Sequence, residues 1–266
     1  IKRSGRTFNP LYNEDVPFSK AISLVAIFLV MTYSFLILGE STVSPKMHAD
    51  EGVYIQRSWI YGRFLKTKDP MWGRFEAYDQ PSLAGYIFGW WLQKEAGGDP
   101  NFFRHFCPKF PVCLLTEPGI PDNLFIFFSE GGVLQKIVLK TRVLSFLATW
   151  LTIGLLLLIS QVVFNHLFLG IVWAILLLNN PTFVFEMTRA KPDSLLLLFL
   201  TSLIMAISLW VKHLPLFENK LKAFVPAFFG VLIGLTTSIK LNGLIGYFLL
   251  AGSIILLIIE RKIRFW

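Results

Sequence analysis

The chain has 266 residues, of which 54% are hydrophobic and only 16% charged. Soluble domains carry about 25% charged residues, so this composition excludes a globule covered by polar surface and predicts an all-α integral membrane protein. Two cysteines exclude a disulfide scaffold or an iron–sulfur protein.

In hydrocarbon a backbone can satisfy its own hydrogen bonds only as a helix or a closed barrel, so long apolar runs predict spanning helices. A polar, cytoplasmic N-terminus over residues 1–20 precedes six such runs: 21–38, 143–164, 167–185, 195–211, 223–239 and 241–259. None contains Asp, Glu, Lys, Arg or His, and each approaches the roughly 20 residues that a bilayer requires. The first run exceeds the apolar core of a signal peptide, about 7–15 residues, and is read as a retained helix. Ile1 at the start and Trp266 just after an apolar run are read as the ends of a fragment of a longer protein.

Charge sets the orientation. With the N-terminus in the cytoplasm, the inner segments 1–20, 212–222 and 260–266 hold 4, 3 and 3 Lys/Arg, as the positive-inside rule requires. Most of the net charge of +8 is therefore topological, and no nucleic-acid partner is expected. The long segment 39–142, the link after 185 and Lys240 then share the non-cytoplasmic face. Loops of that length are usually functional.

Along this outer loop the first chemistry-bearing group is His48-Ala49-Asp50-Glu51. Paired acids suit a general base, or oxygen ligands for a divalent metal ion with His48 beside them. The bland reading is an acidic cap on the following helix. That helix, 51–65, carries Val53, Tyr54, Ile60, Tyr61, Phe64 and Leu65 on one face, interrupted by Arg57, a pattern suited to the membrane interface. After Tyr78-Asp79-Gln80-Pro81 a second aromatic helix is expected, too short to span and started by Pro81. Asp79 there serves as an acceptor-holding acid or as a turn residue. Cys107 and Cys113 suit a small disulfide loop or two free thiols better than a zinc site.

Farther on, Asn179-Asn180-Pro181 predicts a kink in the third span. The link Arg189-Ala190-Lys191-Pro192-Asp193 sets two cations and an acid between apolar helices, where an ordinary polar hairpin is the simpler reading. Lys240 stands in a polar hinge with no adjacent acid and needs a carboxylate, a lipid headgroup or a bound phosphate, or else snorkels to lipid. No Walker, dinucleotide or Gly-x-Ser-x-Gly motif is present, so no soluble nucleotide substrate is indicated.

The order of these groups resembles the N-terminal half of the GT-C superfamily of membrane glycosyltransferases. The branch it is most similar to is the protein O-mannosyltransferase and aminoarabinose transferase family. The matching residues are Asp50-Glu51 after the first span, Asp79-Gln80-Pro81-Ser82-Leu83, Arg189-Ala190-Lys191-Pro192-Asp193, and Gly234-Leu235-Thr236-Thr237-Ser238-Ile239-Lys240. The mannosyltransferase branch typically has His-Pro-Pro-Leu-Gly-Lys where this chain has Gln80-Pro81-Ser82-Leu83-Ala84-Gly85.

The resemblance implies inverting transfer of a sugar from a polyprenyl-phosphate donor to an acceptor hydroxyl of a protein, lipid or glycan. The site would face away from the cytoplasm, at a plasma membrane or an endoplasmic reticulum. Asp50 would be the general base, with Glu51 supporting it or helping His48 hold a metal ion. Lys240, Arg189 and Lys191 would bind the donor phosphate, and Asp79, Asp193 and Arg57 would support the site. Two other classes compete. A transporter should carry ionisable groups near the midplane and paired broken helices, and an assembly subunit would account for the aromatic loop alone.

Overall fold

A computed structural model describes residues 16–44, 83–93, 133–213, 219–239 and 245–259, together with single positions between 51 and 68 and Gly243. Among the described residues all regular structure is helical. The elements are α1 (Val16–Val43), α2 (Leu83–Gln93), α3 (Val133–Val163), α4 (Leu167–Leu178), α5 (Pro181–Thr188), α6 (Pro192–His213), α7 (Asn219–Ile239) and α8 (Ile245–Ile259). The described positions from Glu51 to Lys66 also have helical backbone.

Among the described residues three helices are long and apolar enough to cross a membrane, over Ala21–Val43, Val138–Val163 and Pro192–Trp210. A fourth span results if α4 and α5, bent by 81°, are taken as one broken helix. The described residues are thus all-α, with three or four candidate membrane-spanning helices. The fifth and sixth apolar runs coincide with α7 and α8, whose described apolar parts, Phe228–Ile239 and Ile245–Ile255, are shorter.

The bend has a local cause. Pro181 lacks the N–H that would continue α4. The side chain of Asn179 donates to the carbonyl of Ile175 at 2.8 Å and closes α4. Asn180 Oδ1 then accepts from the backbone N–H of Thr182 and Phe183 at 3.0 and 3.1 Å. An Asn cap with proline in the first helical position starts a new helix, so the predicted kink is a full break.

Side-chain packing fixes the bundle, because lipid removes the usual hydrophobic drive between spanning helices. α1 and α3 run antiparallel. Phe35 sets its ring edge-on to Phe146 and Trp150 at 5.1 and 6.1 Å, and Trp150 Nε1 donates to Met31 O at 3.0 Å. Ile153, Leu157, Val30 and Ala174 close the core toward the far end. The turn from α3 to α4 passes through Asn165 at φ 55°, a left-handed position that Asn tolerates. α6 and α7 pack through Leu203, Ile207, Phe229 and Ile233. Phe28, Phe168 and Phe248 point outward and are exposed, as expected where the surrounding solvent is lipid.

α2, at 11 residues, is the short aromatic helix expected after Pro81. It buries Ala84, Phe88 and Leu92 and exposes Trp90. Trp91 Nε1 donates to Lys140 O at 2.9 Å, tying α2 to α3. Gly89 lets α2 meet the backbone of Ser58 and Gly62 closely. A Cβ at Gly89 would stand 2.1 Å from Ser58 O and 2.6 Å from Gly62 N. Gly89→Ala is therefore expected to cost about 1–3 kcal/mol of overpacking, read as a lower melting temperature in detergent. Gly252→Ala, which meets open space, should leave that temperature unchanged or slightly raised.

Candidate functional site

The last carbonyls of a helix have no partner within it, and α1 ends beside two arginines from distant parts of the chain. Arg142, on α3, donates from Nη1 to Thr42 O at 3.2 Å and to Ser44 O at 2.5 Å. Arg189, in the link between α5 and α6, donates from Nη1 to Ser41 O at 3.3 Å. Cations at this end also complement the negative pole of the α1 dipole.

Arg142 faces a carboxylate with its other two nitrogens. Nε donates to Glu51 Oε1 at 2.7 Å and Nη2 to Oε2 at 2.8 Å. Glu51 Oε1 also accepts from the backbone N–H of Ala190 at 2.9 Å. The pair is buried, Glu51 completely and Arg142 to 3% exposure. One carboxylate, that of Glu51, therefore joins α3 and the α5–α6 link. A two-pronged guanidinium pair fixes orientation as well as charge.

The link is held from further sides. The Ser41 and Thr188 hydroxyls meet at 2.8 Å, and Thr149 Oγ1 on α3 donates to Met187 O at 2.9 Å. Lys191 Nζ donates to Glu186. Asp193 lies in the first turn of α6, where an acid favours the helix N-terminus.

Arg189 differs from its neighbours. It is 1% exposed, its guanidinium carbon sits 4.2 Å over the Phe185 ring, and its Nε has no hydrogen-bond partner among the described residues. Burial, and then the charge of Arg142, push its pKa from 12.5 down to about 10, against the opposing pull of Glu51 and Glu186. It remains a cation at neutral pH. Because burial penalises the charged form, ionised Arg189 opposes folding at neutral pH, and that penalty is relieved as pH rises through about 10.

Of the residues singled out in the sequence, Glu51, Arg189 and Lys191 gather at this end of the bundle, with Asp193 in the first turn of α6. Asp50, His48, Arg57, Asp79 and Lys240 lie outside the described residues, as do Cys107 and Cys113. The sequence neighbour of Asp50 is Glu51, inside the cluster. The neighbour of Lys240 is Ile239, which is buried with Ala84, Phe88, Ala148, Leu195 and Leu196 near the start of α6. Glu51 accepts three N–H groups, so it is poorly disposed to hold a metal ion. Among the described residues no three His, Cys, Asp or Glu side chains converge on one.

Sequence reasoning missed two residues. Arg142 closes the outer loop directly before an apolar run, and that adjacency was its one available signal. Ser145 lies inside the same run, and its fully buried hydroxyl has no partner among the described residues. No protein-family model matches the chain, and neither a curated protein nor a solved structure does.

Proposed function

We propose that this protein transfers a sugar from a polyprenyl-phosphate donor to an acceptor hydroxyl, with inversion, at the non-cytoplasmic face of a six-span GT-C-like membrane domain. Asp50 takes the proton of the acceptor hydroxyl. The acceptor oxygen bonds to the anomeric carbon from the face opposite the phosphate, and the bond from that carbon to the phosphate oxygen breaks. Its electron pair leaves on the lipid phosphate, where Arg189, Lys191 and Lys240 balance the developing charge. Fixed cations in a site poor in water stabilise such charge strongly, and a base on the opposite face is what inverting sugar chemistry requires.

The observation that carries this reading is Arg189, a buried cation with an N–H that has no partner among the described residues, beside a carboxylate already matched by Arg142. A protein that only needed to close the end of α1 would gain nothing from leaving that donor open. A non-catalytic assembly subunit is the second reading, favoured by the saturation of Glu51 and by the attachment of both arginines to α1 carbonyls.

The test is transfer of labelled sugar in membranes carrying the protein, using a panel of polyprenyl-phosphate hexoses and pentoses beside the matching nucleotide sugars. Transfer is expected from a polyprenyl-phosphate donor alone. Incorporation from nucleotide sugars only, or from no donor in the panel, would overturn the reading.

A further inference from the structure

The cations near the link are unequally available. Lys191 is engaged by Glu186, and three nitrogens of Arg142 are engaged by Glu51 and the α1 carbonyls. Arg189 Nε is the buried guanidinium donor without a partner among the described residues. Ser145 Oγ is a second buried orphan among the described residues. Arg142, Ser145 and Thr149 share one face of α3 by their spacing of three and seven residues. The ends of that stretch are attached to the link: Thr149 bonds Met187 O, and Arg142 reaches Ala190 N through Glu51. Over the roughly 10 Å between them, Ser145 is therefore set against the backbone that carries Arg189. Ser145 and Arg189 are 0% and 1% exposed, and buried polar groups are normally satisfied.

We propose that Ser145 Oγ–H and Arg189 Nε–H are a donor pair that seats one phosphate group between α3 and the α5–α6 link. The centre of the Phe185 ring lies 4.2 Å from the guanidinium carbon, a contact that restricts where the side chain can go. Glu51 does not repel the anion at full strength, since Arg142 matches its charge. This inference rests on the transferase reading for the identity of the phosphate, which would be that of the polyprenyl donor, and it adds Ser145 as a binding residue. A phospholipid headgroup offers the same chemistry.

The experiment measures binding without turnover. Purified full-length chain in neutral detergent is titrated with a short polyprenyl monophosphate, with inorganic phosphate, and with phosphatidylglycerol against phosphatidylcholine, following the shift in melting temperature. Ser145→Ala and Arg189→Lys are compared with the wild type. Arg189→Lys keeps the charge but removes the Nε donor. Each variant is expected to bind the polyprenyl monophosphate about tenfold more weakly, the worth of one hydrogen bond to a charged group. Without ligand, Ser145→Ala should melt no lower than the wild type, because its hydroxyl has no bond to lose.

If the variants weaken binding only of phosphatidylglycerol or inorganic phosphate, and the polyprenyl phosphate does not bind, the donor pair stands and the transferase reading falls. If a buried water occupies the pair instead, wild type and variants respond alike to every phosphate. That outcome overturns the proposal.

Discussion

Arg142→Ala is expected to cost about 3–5 kcal/mol of stability, the range for breaking a buried ion pair from one side. The reason is the environment that the substitution leaves behind. Glu51 is fully buried and, among the described residues, would be left with the Ala190 N–H as its hydrogen-bond partner. The carbonyls of Thr42 and Ser44 would lose their donor at the end of α1 as well. Replacing both partners, Arg142→Met with Glu51→Met, removes the stranded charge and should recover part of the loss. Full recovery is not expected, because the α1 carbonyls and Ala190 N would still lack partners, at about 1–3 kcal/mol for each group left unsatisfied. Denaturant unfolding in detergent measures all three proteins. A single variant as stable as the wild type would show that the pair holds nothing together.

The bundle was largely legible because lipid makes the rules simple. Among the described residues the apolar runs fall on helices, and the break after α4 follows from three consecutive residues whose local chemistry is unambiguous: Asn179 closes, Asn180 caps and Pro181 starts. The short helix after Pro81 was legible for the same reason, since eleven residues cannot cross a bilayer and its aromatic side chains still need an apolar surface. Boundaries were less so. α1 continues to Val43 and α3 begins at Val133, beyond the apolar runs at 38 and 143. Polar residues such as Glu40 and Lys140 stand in these extensions, and an apolar run carries no signal for where a helix continues past it.

The site was legible in part. The acids after the first span and the cations of the link could be picked out by type, but not by state of pairing. Glu51 and Arg142 are 91 positions apart, and no local pattern joins them. Nor does the string Arg189-Ala190-Lys191 reveal which cation is engaged. The Lys191 bond to Glu186 depends on where α5 ends, and the isolation of Arg189 Nε depends on its lying over Phe185. Ser145 is less legible still. A serine inside an apolar run ordinarily bonds the carbonyl four residues back, as Thr149 and Thr152 do here, and its orphan hydroxyl is visible only in three dimensions.

Two adjacent acids should fail in opposite ways, and this contrast is the sharpest test of the transferase reading. Asp50→Asn is expected to lower kcat for sugar transfer by about 10²–10⁴, the usual contribution of a positioned base, with the melting temperature and the KM for the lipid donor little changed. In the proposed mechanism the donor phosphate is held by cations elsewhere, so removing the base should not affect its binding. Glu51→Gln leaves Arg142 and Arg189 without the carboxylate that both feel, one by direct contact and the other through its charge. It is expected to lose stability first, and to lose activity only as far as folded protein is lost. Rates are therefore normalised to folded protein, by gel filtration or by protection from proteolysis. Glu51 is an unsuitable base on geometric grounds, since three N–H donors already occupy its oxygens. Were Asp50→Asn to transfer sugar at the wild-type rate while folded Glu51→Gln did not, the base would have to be Glu51, and the paired carboxylate would have to open during turnover.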